Sequence, residues 1–275
     1  MINRKPSSLR SYLTDLLAAG RMVFTREEAE KALGTTQGAF LDAAEKLQRR
    51  RELLNPRRGF YVIVPPQFLK LGSPPPAWFI DDLMRHEASP YYVGLLKAAE
   101  LHGAAHQAVM EFQVVATKRM PELSAGRSKI AFYYRKELAS VITAIEERNT
   151  ETGKMKLSSP ELTFLDLVRY PRASGGIDNV ATILEELGAK LDSRKLGAIA
   201  SGFERSVLQR AGYLLRLAGL EEQAAAIQTS LNGGPVTQWI ELDPSLAADA
   251  DLAPPAIERD KHWRVVVRHV PERDL

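Results

Sequence analysis

At 275 residues, 45% hydrophobic and 26% charged, the chain has an ordinary globular composition, with enough length for one large domain or two of moderate size. No run of about 18 apolar residues escapes a charge, which excludes a membrane-spanning helix: the most apolar windows are broken by Lys97 and Glu100 and by Arg210 and Arg216. The absence of cysteine excludes disulfides, thiolate metal sites and a thiol nucleophile, and five histidines are left for metal or acid–base work. Arg4 and Lys5 are followed by Arg10 and Asp15 before any signal-peptide core forms, so the chain is expected in the cytoplasm. The net charge of +3 is unevenly spread: residues 1–71 carry 13 Lys and Arg against 7 Asp and Glu, a net of +6, and residues 72–275 carry 24 against 27, a net of −3. A basic head on a slightly acidic body points to different partners for the two parts, the first a polyanion.

In the head, Leu9, Tyr12, Leu13, Leu16 and Leu17 recur at helical spacing ahead of Gly20, predicting a helix over residues 8–19. A short bridging strand is expected over residues 22–24. Thr25 with Glu28 three residues on reads as a capping box opening a helix over residues 25–33. Gly34 and Thr35 end it, and Phe40, Ala43, Ala44 and Leu47 mark the buried stripe of a third helix over residues 36–50. Two helices about a tight glycine turn form a helix-turn-helix pattern, whose second helix meets base edges with its N-terminal end, here Thr35, Thr36 and Gln37.

Two β-prone runs then flank Pro56, Arg57, Arg58 and Gly59, predicting a hairpin with two arginines at its tip. Three helices and a basic hairpin make a winged helix-turn-helix. Lys46, Arg49, Arg50, Arg57 and Arg58 are its candidate phosphate or minor-groove contacts. Taken alone, a charged face such as Lys46 and Arg49 is ordinary solvated surface, and the run through Arg51 can simply complement a helix C-terminus. It is the coincidence of turn, third helix, basic wing and charge within 71 residues that favours DNA.

Gly72, Ser73 and Pro74 to Pro76 read as a stiff proline-type spacer, dividing the chain into a DNA-binding domain (residues 1–71), a linker (72–78) and a C-terminal domain (79–275). In the body, helices are expected over residues 77–86, 91–106, 160–170 and 177–187, and through most of 191–231 with breaks at Gly202 and Gly219. Strands are expected over residues 112–117 and 130–134, joined as a hairpin or longer antiparallel connection, and two late strands over 239–242 and 263–270. The fold class is therefore α+β: a winged head followed by a larger, helix-rich mixed domain.

Chemistry in the body reads weakly. His102 and His106 stand four apart on an expected helix, a zinc-compatible spacing, but Gly103, Ala104 and Ala105 lie between them where a zincin carries its glutamate. Glu161, Asp166, Glu185 and Glu186 can be imagined around magnesium, though no lysine is placed to complete a nuclease site. No phosphate-loop or dinucleotide-binding signature occurs, and Ser174, Gly175 and Gly176 form only a glycine turn before a helix. No catalytic residue, cofactor or metal is assigned, and the chain does not read as an enzyme.

The wing sequence from Asn55 to Tyr61, the stretch from Tyr91 to Gly103, the stretch from Ser158 to Leu167 and the helical run from Arg210 to Gly219 together resemble the AbiEi family of bacterial antitoxins. The resemblance spans nearly the whole chain and is carried by the order of packing patterns, not by a catalytic signature. It implies a winged helix bound to double-stranded DNA at inverted repeats in its own promoter, autorepression, and a C-terminal domain that counteracts a cognate nucleotidyltransferase-like toxin, directly or indirectly. A place in phage defence goes with that family. Two other readings stand beside it: a ligand-responsive repressor with no toxin, and a nuclease or phosphotransferase using the body carboxylates.

Overall fold

The computed structural model describes residues 6–104, 109–232, 238–246 and 253–271. In chain order the elements begin with α1 (Leu9–Ala18), β1 (Val23–Thr25), α2 (Arg26–Leu33), α3 (Gln37–Arg49), β2 (Leu53–Arg57), β3 (Phe60–Ile63) and α4 (Ile80–His86). There follow β4 (Tyr91–Val93), α5 (Leu95–Leu101), β5 (Glu111–Ala116), β6 (Leu123–Ala125), β7 (Ser128–Tyr134), β8 (Ile145–Thr150) and β9 (Gly153–Ser158). The C-terminal part holds α6 (Pro160–Arg169), α7 (Ile177–Leu187), α8 (Ser193–Ala200), α9 (Arg205–Leu217), α10 (Glu221–Leu231), β10 (Ile240–Glu241), β11 (Glu258–Asp260) and β12 (Val265–Val267). The α+β class is the one expected. By contact density the chain divides into two compact units, Met1–Tyr91 with Met110–Lys136 and Glu147–Lys156, and Tyr92–Val109 with Glu137–Glu146 and Leu157–Leu275.

In the first unit, Ser8 caps α1 and Thr25 caps α2, each as a capping box; the Thr25 hydroxyl accepts from the Glu28 N–H while the Glu28 carboxylate accepts from the Thr25 N–H at 2.9 Å. Gly34 ends α2 in the left-handed region with φ 65°, and Thr36 caps α3. The strands form an antiparallel sheet in the order β1-β3-β2, with Thr25 opposite Phe60 and Leu53 opposite Ile63. Leu9, Tyr12, Leu13 and Leu16 of α1 pack with Phe24, Phe40, Leu47 and Tyr61, where Phe24 stacks on Tyr61 at 5.4 Å and Phe40 meets it edge-on at 5.2 Å. Each such buried side chain contributes about 1.5–3 kcal/mol, so this cluster is the main stabiliser of the head.

Two expectations change in this unit. Residues 72–78 are not an exposed spacer: Ser73, Pro74 and Pro76 are buried, and Pro76–Trp78 is a turn of 3-10 helix. The turn between β6 and β7 packs directly on this segment, where the Arg127 N–H donates to the Leu71 carbonyl at 2.9 Å. β5 and β7 are parallel, with Phe112 opposite Ile130, not antiparallel. The physical reason is β6: it lies between them in sequence and takes the antiparallel place beside β7.

In the second unit, α6 is buried on every face from Glu161 to Val168, and α9 turns Val207, Leu208, Ala211 and Leu215 inward. Gly212 lets α9 approach Trp263 so closely that a β-carbon there would stand 2.0 Å from the indole. The expected late strands pair as β10 with β12, in parallel, and β11 joins β12 on its other side. The helix expected over residues 91–106 is replaced by β4, which pairs with β9 at Val93 and Leu157, and by α5. Tyr91, Tyr92 and Val93 are aromatic or β-branched, and all three are buried, so the apolar stretch carried no helical stripe to read. β8 and β9, rich in charged and polar residues, were not expected at all.

Candidate nucleic-acid interface

The buried stripe of α3 fixes what it shows to solvent. With Phe40, Ala44 and Leu47 inward, the first turn presents Thr36, Gln37, Gly38 and Ala39, all exposed, and the later turns present Asp42, Glu45, Lys46 and Arg49. The Thr36 hydroxyl accepts from the Ala39 N–H at 3.4 Å, leaving its own hydrogen available as a donor. Thr35 is half-buried, and its N–H donates to the Glu30 carbonyl at 3.2 Å. The positive end of the α3 dipole thus coincides with the exposed polar turn, an arrangement that favours anions.

The cations of the head fall into two groups. Arg10 is bidentate to Glu52 at 2.7 and 2.8 Å, Arg21 pairs with Glu28 at 3.2 Å, and Arg26 pairs with Glu27 at 2.7 Å and Glu30 at 3.5 Å. The Glu27 carboxyl, held by its own backbone N–H and by the Arg26 guanidinium, lies below the usual carboxylate range. Arg49 pairs with Glu45 at 2.7 Å, both largely exposed, a contact of little strength in water. Lys31, Lys46, Arg50, Arg51, Arg58 and Lys70 meet no carboxylate among the described residues. The paired arginines are cross-links of the fold, and the surface field of the head comes from the second group.

The two wing arginines have different surroundings. Arg58 is exposed. Arg57 departs from the expectation of a free tip residue: its guanidinium donates to the Pro121 carbonyl at 2.8 Å, lies 3.4 Å from Glu87, and stands 5.7 Å from the centre of the Phe132 ring. The turn itself is tied on three further sides. The Arg26 N–H donates to the Gly59 carbonyl at 2.9 Å, His86 Nε2 stands 3.2 Å from the Arg58 carbonyl, and the Asn55 amide donates to the carbonyls of Arg57 and Phe60, each at 2.7 Å. Phe60 is buried against His86 at 5.3 Å. Nothing in the sequence near the wing announces Glu87, Pro121 or Phe132 as partners; only the fold of the unit brings them there.

The body residues considered for chemistry are occupied in packing. Glu161 accepts from the Ser159 hydroxyl at 2.6 Å and from the Asp192 N–H at 3.0 Å, and Asp166 accepts from the Tyr92 hydroxyl at 2.6 Å. His102 Nε2 stands 2.8 Å from the Ser158 carbonyl, the position of an N–H donor, while His106 lies outside the described residues. Glu185 is exposed and Glu186 half-buried on α7. Among the described residues there is no grouping of three or more His, Asp or Glu able to hold a metal ion. Among them, too, no helix is long and apolar enough to cross a membrane.

Fold and exposed surface together define a two-unit α+β protein with a basic helical head. Residues 92–217 match the family model of the AbiEi antitoxin C-terminal domain. Over these residues the chain is similar to the AbiEi antitoxins, the family that its sequence patterns implied. Its fold is similar to the crystal structure of the RV2827C protein from Mycobacterium tuberculosis, with a TM-score of 0.66 and 18% identity over 96% of this chain and 92% of that one. No curated protein matches it in sequence.

Proposed function

We propose that this antitoxin represses its own operon by binding double-stranded DNA with its N-terminal head, a winged helix-turn-helix, and that the domain over residues 92–217 counteracts a nucleotidyltransferase-like toxin without enzymatic chemistry of its own, in the cytoplasm. The single observation that supports the DNA reading best is the exposed first turn of α3, on a head that also carries unpaired cations at Lys46 and Arg50 toward the other end of that helix and at Arg58 on the hairpin turn. Thr35, Thr36 and Gln37 read base edges, and Lys46, Arg49, Arg50 and Arg58 hold phosphates. Arg57 supports the wing from inside the unit. Two protomers on an inverted repeat would place half-sites about 10 bp apart, or a multiple of that.

The test is fluorescence anisotropy with the protein's own upstream duplex across a salt series. Replacing Arg58 by alanine is expected to weaken specific and unrelated duplexes alike and to reduce the slope of log K against log salt by about 0.9. Gln37→Ala is expected to cost about 1–3 kcal/mol on the cognate sequence and little elsewhere. Failure of the native protein to shift that duplex sinks the repressor reading. Growth rescue on co-expression with the neighbouring toxin gene tests the other half, and should survive Arg58→Ala.

A further inference from the structure

A cleft of about 530 Å³ opens between the end of α3, the outer strand of the wing and the turn joining β6 to β7, all within the first unit. Gln48, Arg51, Leu54, Asn55, Lys70 and Arg127 line it. Its three cations come from three separate places: Arg51 just past α3, Lys70 before the proline segment, and Arg127 on the β6–β7 turn. All three are exposed, none meets a carboxylate among the described residues, and no carboxylate lines the cleft. Like charges gathered without a counterion repel one another, and a bound anion relieves that repulsion.

Two features show that the fold holds these charges in place. Arg51 has φ 60°, the left-handed region that glycine occupies most easily, at the position following the α3 cap; the next N–H, that of Glu52, donates back to the Leu47 carbonyl at 3.0 Å. This tight chain reversal fixes the point from which the Arg51 side chain leaves the backbone. Across the cleft, Gly126 lies so close to the segment after Lys70 that a β-carbon there would come within 2.2 Å of the Leu71 carbonyl, so the separation of Lys70 and Arg127 is set by backbone contact. The Gln48 amide, with no hydrogen bond among the described residues, adds an uncharged donor.

We propose that this cleft is a phosphate-binding site, filled by the backbone of the duplex that α3 enters. A helix of 13 residues is about 20 Å long, longer than the major groove is wide at about 12 Å, so with the first turn of α3 in the groove its C-terminal end reaches the flanking phosphates. With Arg57 tied into the unit, Arg51, Lys70 and Arg127 take over phosphate contacts that a free wing would make. The backbone as the source of phosphate rests on the DNA reading above; the site itself does not.

The test uses the full chain carrying Arg51→Gly, Lys70→Gln or Arg127→Gln, with melting temperature as the control for folding. Glycine is favoured at position 51, so that variant is expected to melt no lower than the parent. Each variant should weaken cognate and unrelated duplexes equally and remove about 0.9 from the salt slope. Calorimetry with pyrophosphate and with ATP, without DNA, forms a second arm. Nucleotide binding lost in the variants while the slope stays unchanged would keep the site and assign it a free phosphate ligand. A native protein that binds pyrophosphate through these cations but shifts no duplex keeps the site and discards the repressor. Unchanged slopes together with no binding of pyrophosphate or ATP overturn the proposal.

Discussion

Arg57 and Arg58 are neighbours in sequence and chemically identical, yet one is a cross-link and the other a surface charge. Arg57 is the last residue of β2, whereas Arg58 stands in the turn that follows, so only the first is held where Glu87 and the Pro121 carbonyl can reach it. Arg57→Ala leaves Glu87 with Lys118 at 3.0 Å and frees the Pro121 carbonyl. We expect it to cost about 2 kcal/mol, as for a partly buried charged hydrogen bond, read as a lower urea midpoint, with the salt slope of DNA binding unchanged. Arg58→Ala should do the reverse, and a lowered slope with unaltered stability in Arg57→Ala would refute the assignment. The sequence announced a basic tip; it gave no sign of which arginine faces Glu87, because that carboxylate lies 30 residues on, beyond a segment that read as a spacer.

At the scale of elements, local chemistry was the most readable layer. The Thr25–Glu28 box and Thr36 at the head of α3 satisfy early helix amides with their side chains, and Pro160 in the first turn of α6 has no amide hydrogen to satisfy. Thr25→Ala is expected to cost about 1 kcal/mol, measured as a shift in the urea midpoint of the head. A contact between elements offers a pH test: burial, then Glu258, push Tyr213 on α9 up to about 12 from 10.0, and its hydroxyl donates to Glu258 of β11 at 3.3 Å. The folded state favours the neutral phenol, so this contribution is complete below about pH 10 and is lost as pH rises through about 12. Denaturant midpoints should therefore fall between those values, and less steeply in Tyr213→Phe, which cannot ionise. Elements whose pattern comes from burial and not from local chemistry are harder to read: β4 is buried on both faces and shows no alternation, β8 is polar on both, and β9 alternates Lys154 and Lys156 with Met155 and Leu157 over too few residues to stand out.

For the molecule as a whole, composition separated a basic head from a slightly acidic body, and the expected boundary fell at residues 72–78. The first compact unit instead runs through that segment and takes in β5, β6 and β7. His86, Glu87, Pro121 and Phe132 hold the wing, so a fragment of residues 1–71 would expose Phe60 and leave Arg57 unpaired. That fragment is expected to melt below the full chain and to be cleaved first in the wing; equal melting temperature and equal protease resistance would show the head to be self-sufficient. What the sequence determined alone was whatever depends on neighbours within a few residues: helix caps, the glycine turn before α3, the hydrophobic stripe that leaves its first turn exposed, and the charge of the head. Tertiary structure decided which cations are free, how β5 and β7 run, and that three of those cations surround one cleft. Pairing of charges and strands depends on groups brought together from distant parts of the chain, and periodicity carries no information about them.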